Sequence, residues 1–358
     1  MPSILFVCLH RPDRSPSQRF RFEQYLTYLE ANGFDCRISY LLGPKYDKVF
    51  YSNGNYFQKA VILITSLFKR TKEILFKQAD IVFVQRESIM LGTAFFEKMY
   101  ARKSKLIFDF DDSIWINTVS EGNKSLAFLK NSDKIKEIIK IADLVIVGNN
   151  YLANYALRFN SNVFIFPTTI NTDIHKHVPI IKSDRICIGW TGSFSTIQYF
   201  KLLENVLILI KEKYNEKVYF KVIGDKHYHN ELLGIKGVAW KAENEIIELN
   251  EIDIGIMPLV DDEWAMGKCA LKCLQYMSLG IPSVISPVGV NKDIIQDGSN
   301  GFLANSDEEW VEKLSILIEN PELRKTIGQK GLETVETKYS VKANQEKYLG
   351  YFTSLLQP

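Results

Sequence analysis

The sequence predicts an α/β protein made of two doubly wound, Rossmann-like domains facing a central cleft. Three observations carry that expectation. Short apolar runs recur without polar alternation, as strands buried on both faces of a parallel sheet do. Helix-length segments separate the runs, which is the rhythm of a doubly wound sheet. That rhythm stops across a polar stretch at 168–185 and then restarts, and 358 residues exceed the roughly 250–300 that one core serves.

The first half reads as ILFVCL (4–9), a helix over 17–32, CRISYLL (36–42), IVFVQ (81–85), a helix over 91–101, LIFDFD (106–111), LVIVGN (144–149), the helix YLANYALRF, and VFIFP (163–167). The second half reads as ICIGW (186–190), a helix over 197–213, YFKVIG (219–224), GVAW (237–240), a helix over 243–249, IGIMPL (254–259), a helix over 267–278, SVISP (283–287) and GFLA (301–304). Three helices follow, over 307–319, 321–336 and 341–356. Gly280 ends the helix at 267–278, because glycine takes the left-handed stop without a Cβ penalty.

Composition narrows the function classes. The chain is 46% apolar with a formal charge of +2, but the halves differ. Residues 1–170 hold 23 Lys+Arg against 16 Asp+Glu, or +7, which leaves −5 for the remainder. A basic first half suits an anionic partner, such as an acidic membrane surface or a phosphate-bearing acceptor, or else it is a lysine-rich solvated surface. The five cysteines (Cys8, Cys36, Cys187, Cys269, Cys273) are odd in number, scattered and without metal-site spacing. They point to a reduced, cytoplasmic protein. The start MPSILFVCLH lacks the basic lead of a signal peptide, and no apolar run approaches a membrane span. The segment 57–77 is either an amphipathic helix lying on a bilayer or, more simply, a helix packed on the sheet. No basic stripe with interleaved aromatics supports nucleic-acid binding. No GxGxxG follows the first strand, which argues against a dinucleotide cofactor. No cofactor and no metal is expected.

Loops at strand carboxyl ends face the cleft of such sheets, so they carry the chemistry. After the second-half strand IGIM, Asp261, Asp262 and Glu263 precede Gly267 and Lys268, where the next helix is expected to begin. Free backbone N–H groups, a positive helix end and a lysine suit a diphosphate, while acids on the loop suit sugar hydroxyls. Gly192 and Ser193, with Ser195 and Thr196, form a second small-residue turn able to approach phosphate. Gly224 and Asp225 end another strand, and Trp240 closes GVAW; these join the expected donor-binding residues. Lys272 is placed with them. In the first half, Arg11, Arg14, Arg19 and Arg21 surround Gln18 after strand one, and arginine forks match anions. Arg14, Gln18 and Arg19 are the expected acceptor-binding residues; Arg19 and Arg21 lie on different helix faces, so at most one points into the cleft. Asp111 and Asp112, at the end of FDFDD, are candidates for stabilising a developing oxocarbenium ion, against the simpler role of capping a turn. His227 and His229, like His175 and His177, read as surface histidines.

GWTGS (189–193), GKCALKCLQYMSLGIPSV (267–284), SPVGV (286–290) and DGSNGF (297–302), with SQRFRFEQYL (17–26) and FDFDDSIW (108–115), resemble the retaining glycosyltransferases of family 4, of GT-B fold. The resemblance covers nearly the whole chain and is closest to enzymes of bacterial surface-polysaccharide synthesis. It implies an acceptor-binding domain at 1–170 joined by a returning C-terminal helix (341–358), and a nucleotide-sugar-binding domain at 184–340. It implies metal-independent transfer, with retention, to a saccharide or lipid-linked acceptor; the expected place is the cytoplasm, at the inner face of the membrane. The two glutamates that many members carry eight positions apart are Gly267 and Gln275 here; Gln275 can still bond ribose hydroxyls. The usual phosphate Arg and Lys after the Gly-rich turn are replaced near Ser193 and Thr196, so Lys268 and Lys272 supply the charge. A histidine common in the first domain stands as Asp111. The expected catalytic residues are Asp111, Asp112 and Lys268. A nucleotide-sugar 2-epimerase of similar two-lobed fold is the alternative enzyme, and a two-lobed binding protein the non-enzymatic one.

Overall fold

A computed structural model describes residues 1–116, 129, 131–181, 183–193 and 196–357. The chain divides into two compact units, one of Met1–Thr168 with the segment from Gln345 onward, the other of Thr169–Asn344.

The first unit runs β1 (Ser3–His10), α1 (Pro16–Arg21), α2 (Leu26–Ala31), β2 (Asp35–Leu42), α3 (Pro44–Tyr51), α4 (Tyr56–Phe76), β3 (Ile81–Gln85), α5 (Phe95–Ala101), β4 (Lys105–Phe110), α6 (Asp133–Ile141), β5 (Leu144–Val147), α7 (Asn150–Ala156) and β6 (Val163–Ile165). Its strands lie in the order β2-β1-β3-β4-β5-β6, and every pair is parallel. Ile4–Val7, Ile81–Val84 and Leu144–Val147 are buried, as unbroken apolar runs in a parallel sheet must be. The helix expected over 17–32 is interrupted at Phe22 and a 3₁₀ turn, Glu23–Tyr25. That break lets Phe22 stack on Phe6 of β1 and Tyr25 stack on Tyr348.

The second unit runs β7 (Ile186–Thr191), α8 (Ile197–Lys201), α9 (Glu204–Tyr214), β8 (Val218–Ile223), β9 (His229–Asn230), β10 (Ile235–Lys236), α10 (Glu245–Asn250), β11 (Ile254–Met257), α11 (Glu263–Met266), α12 (Leu271–Ser278), β12 (Ser283–Ile285), α13 (Asn291–Ile294), β13 (Phe302–Leu303), α14 (Asp307–Glu319) and α15 (Pro321–Thr334). The order is β13-β12-β11-β7-β8, again parallel throughout. Ser306 and Glu309 form a capping box that starts α14, satisfying orphan N–H groups reciprocally. The final helix, α16 (Val341–Leu356), buries Tyr348 and Phe352, and Phe352 packs against Phe6, Phe34 and Phe83 of the first unit.

Further expected elements differ in the second unit, where the helix expected over 197–213 is split into α8 and α9. GVAW is not a strand; the backbone makes a single bridge, Val238 to Ile223, after the short β9–β10 hairpin. Trp240 then turns toward α10, where its indole N–H bonds Glu245. The helix expected from Gly267 starts at Leu271 instead. Asp262 caps the four-residue α11, Gly267 ends it, and Ala270 adopts a left-handed φ of +54° before the chain winds up again.

Candidate active site

In a doubly wound sheet, ligands bind outside the strand carboxyl ends where the winding direction reverses. The strand orders put that point between β1 and β3 in the first unit, and between β7 and β11 in the second. Polar groups gather at both.

In the second unit, β7 runs into Gly192 and β8 into Gly224, and these two turns touch backbone to backbone. Gly192 N–H donates to the Ile223 carbonyl at 2.9 Å, and Gly224 N–H to that of Val238 at 2.7 Å. Gly224 has φ +119°, and a Cβ there would stand 1.5 Å from the Gly192 carbonyl oxygen. Ser193 and Thr196 bond each other, the Thr196 hydroxyl accepting from Ser193 N–H at 3.0 Å, which shapes the turn into α8. Ser195 lies outside the described residues.

The first turn of α12 is linked to this turn through Trp190. Lys272, in its first turn, holds its ammonium 5.4 Å from the Trp190 ring centroid. A Cβ on Gly192 would meet the same ring at 2.3 Å. Trp190 therefore ties Lys272 to the Gly192 turn. One turn later the buried Tyr276 hydroxyl accepts from Thr191 N–H at 3.0 Å, which pins α12 at the end of β7. Burial pushes the Tyr276 phenol above its usual pKa, so it stays neutral and able to donate. The strain at Ala270 sits immediately before the first backbone N–H groups of α12; outliers of this kind cost about 1–3 kcal/mol and concentrate at functional sites.

The other expected donor residues fall around that helix start unevenly. Lys268 is not at the start of α12; its ammonium lies 4.7 Å from the Trp264 ring on α11. Gly267 is the C-cap of α11, so its N–H, which donates to the Trp264 carbonyl at 3.2 Å, is not an orphan of a helix start. Asp262 spends one carboxylate oxygen on capping, accepting from Ala265 N–H at 2.7 Å. Asp225 closes a local turn by accepting from His227 N–H at 2.9 Å. Gln275 is buried and donates to Glu245 Oε1 at 3.1 Å, the oxygen that also accepts from Trp240 at 3.0 Å. Glu245 thus joins Trp240 and Gln275, which are 35 residues apart in the chain.

At the first unit's reversal point, β1 ends at His10, β3 at Gln85 and β4 just before Asp111. Arg86, with φ +63°, donates Nε and Nη2 to Asp111 Oδ1 at 3.0 and 2.8 Å and reaches Asp112 as well. Ser17 also donates to Asp111, and Gln85 to Ser17 at 2.7 Å. Burial raises the Asp111 carboxyl, but Arg86, Arg21 and the Ser17 bond outweigh it and hold the group below the usual range. Two residues back on the strand, Asp109 pairs with the fully buried Arg21, yet burial wins and keeps that carboxyl raised. Asp111 is therefore the firmly ionised carboxylate of the two.

His10 accompanies this cluster. Its Nε2 lies 2.9 Å from the Tyr51 hydroxyl, and its Nδ1 3.8 Å from Asp47. Burial, then Arg14, Arg86 and Arg11, push its pKa down to about 4, so the imidazole is neutral near pH 7. Asp47 also pairs with Arg11 and with Arg14 Nε at 3.2 Å. Gln18 is buried, bonding the His10 N–H and carbonyl at 2.8 Å each; it positions His10 and does not face outward. Arg19 lies over the Phe20 ring at 5.1 Å, while Arg21 points inward to Asp109. Sequence reading missed His10, Asp47, Arg86, Glu245 and Tyr276. The available signal for His10 and Arg86 was position: the last residue of one strand and the first after another.

Residues 185–320 match the family model described as glycosyl transferases group 1. The chain is 24% identical over 284 residues to the uncharacterized glycosyltransferase MJ1069 of Methanocaldococcus jannaschii, spanning 73% of this chain and 71% of that one. These matches support a glycosyltransferase. The same fold, with two Rossmann-like domains, occurs in the sucrose-phosphate synthase of Thermosynechococcus elongatus, at TM-score 0.71 and 14% identity over 99% of both chains. It occurs also in Anabaena Alr3699/HepE, solved in complex with UDP-glucose, at TM-score 0.67 and 13% identity over 98% of this chain and 99% of that one.

Proposed function

We propose that the protein moves a sugar from a nucleoside-diphosphate sugar to a saccharide or lipid-linked acceptor, with retention of configuration, in cell-surface polysaccharide synthesis. One observation carries the donor side: Lys272 and the first turn of α12 stand beside the Gly192 turn, at the winding reversal of the second sheet. Helix-start N–H groups and an ammonium neutralise the charge that builds on a leaving diphosphate, so no metal ion is required for that task. Lys268 supports the same diphosphate from the preceding loop, and Gln275, steadied by Glu245, sits one turn deeper, toward the nucleoside. The leaving phosphate oxygen takes the acceptor proton on the same face, which preserves the anomeric configuration. On the acceptor side, Asp111 stays ionised to stabilise positive charge on the sugar ring, and Arg14, Arg19 and the neutral His10 receive the acceptor. The UDP-glucose complex of the Anabaena neighbour makes that nucleotide sugar the first donor to try.

The test is Lys272→Ala against Lys268→Ala. Losing one partner of a developing oxyanion costs about 10²-fold or more in transfer. Lys272→Ala is expected to lose that much with its melting temperature kept, and to lose the thermal shift given by the nucleoside diphosphate. Full activity in Lys272→Ala would remove α12 from the donor site.

A further inference from the structure

Helix α4 is turned inside out. Its buried face carries Lys59, Ser66, Arg70 and Glu73 beside Ile62 and Ile74. Arg70 pairs with Glu73 at 2.9 Å and donates to the carbonyls of Ser88 and Cys8 at 2.7 and 3.0 Å. Tyr100 donates to Glu73 at 3.1 Å, and Lys59 to the Ser52 carbonyl at 2.6 Å. The inner face is thus a satisfied polar network. The outer face is apolar: Phe57 is 81% exposed, Ile64 51%, Phe68 73% and Leu75 55%. At about 100° per residue, spacings of seven, four and seven put these four within about 40° of one line along the helix. Tyr56 and Phe76, exposed as well, mark the two ends. Six of the nineteen large apolar side chains exposed among the described residues lie on this helix, so the concentration is local.

A stripe of this size on a water-facing helix implies a covering surface. Charge chooses which. Residues 44–77, α3 and α4 together, hold seven Lys or Arg and two acids. Both acids, Asp47 and Glu73, are buried, whereas Lys45, Lys48, Lys72 and Lys77 are exposed. The outside of this segment therefore presents phenylalanine and leucine, and its exposed charged side chains are all cations. A helix that lies in the headgroup plane of an anionic bilayer needs this combination. No helix among the described residues is long and apolar enough to cross a membrane.

We propose that α4 docks the protein on an anionic lipid surface, with Phe57, Ile64, Phe68 and Leu75 entering the acyl boundary and Lys45, Lys48, Lys72 and Lys77 meeting the headgroups. The docking stands apart from the transfer reaction and is measured without donor or acceptor. The full chain is sedimented with vesicles of phosphatidylcholine, with and without phosphatidylglycerol. Binding is expected only with the anionic lipid, and is weakened by high salt. The double variant Phe57→Ser/Phe68→Ser is expected to bind at least about tenfold more weakly with its melting temperature unchanged, since both side chains are exposed. Lys72→Ser/Lys77→Ser is expected to bind about tenfold or more weakly to anionic vesicles. Absence of wild-type binding, or unchanged binding in the phenylalanine variant, overturns the proposal. So does a wild-type dimer that this variant dissociates, which would assign the stripe to a second copy.

Discussion

Arg86 reaches Asp111 from a left-handed backbone: its φ is +63°, and its Nε and Nη2 both end on Asp111 Oδ1, at 3.0 and 2.8 Å. Strand β4 and the residue just after it thus carry two arginine–aspartate pairs of different kinds. Arg21 and Asp109 are each 1% exposed, whereas a third of the Arg86 side chain meets solvent.

That difference sets the first prediction. Arg21→Ala leaves a carboxylate buried without its partner and is expected to cost about 3–5 kcal/mol in urea unfolding. Arg86→Ala, screened by solvent, is expected to cost about 2 kcal/mol or less. Arg86→Gly removes the same side chain but accepts positive φ freely, so it is expected to be about 1 kcal/mol more stable than the alanine variant. Equal stability of the two Arg86 variants would show that the backbone carries no strain.

The second prediction concerns pH. His10 has a pKa near 4 in the folded protein against an ordinary 6.5 in the unfolded chain. Between these values the unfolded state binds a proton that the folded state refuses, so stability falls as pH drops through the window. The contribution is fully present above 6.5, is lost by pH 4, and is on the order of 3 kcal/mol. Asp111, held below the usual carboxylate range, keeps its own contribution until lower pH. Unfolding of wild type and His10→Asn, compared between pH 4 and 6.5, is expected to show a shallower slope in the variant. Parallel slopes would mean that His10 titrates normally.

Much of the fold was legible because buried parallel strands announce themselves as unbroken apolar runs; ILFVCL and IVFVQ lie almost where they were expected. The site was less so, because its pairings are distant in sequence. Arg86 meets Asp111 twenty-five residues on, and Gln275 meets Glu245 thirty residues back. Neither spacing leaves a local signal. The helix start was displaced by a conformation no propensity predicts: alanine rarely takes φ +54°, so the run GKCALKC read as one helix entry at Gly267. Lys268 and Lys272 exchanged prominence for that reason.

The third prediction follows from the touching turns. Gly224→Ala places a Cβ 1.5 Å from the backbone oxygen of Gly192, and neither chain can withdraw without breaking the β7–β8 ladder. The variant is expected to lose more than about 4 kcal/mol and to accumulate poorly. Gly234→Ala shares a positive φ, +69°, but has open space around it, so only the conformational cost of about 1 kcal/mol applies. Thermal melts of the two separate steric contact from backbone preference. A mild Gly224→Ala phenotype would mean that the two turns are not packed against each other.

The fourth prediction exchanges a pair. Gln275→Glu sets a second carboxylate 3.1 Å from Glu245, in a buried place that now holds one. Like charges so close cannot both ionise, so one folded-state pKa rises above the ordinary carboxylate range. Below pH 4 both states are protonated and the variant is expected to match wild type. As pH rises, the unfolded chain ionises first and the folded state loses ground, by about 2–3 kcal/mol near pH 7. Adding Glu245→Gln returns the site to one acid and one amide, and the amide oxygen still accepts from the Trp240 indole. The double variant is expected to recover most of the loss, giving a coupling of about 2 kcal/mol in a double-mutant cycle. Additive effects would show that Gln275 and Glu245 do not share the bond, and that Gln275 is held by other groups.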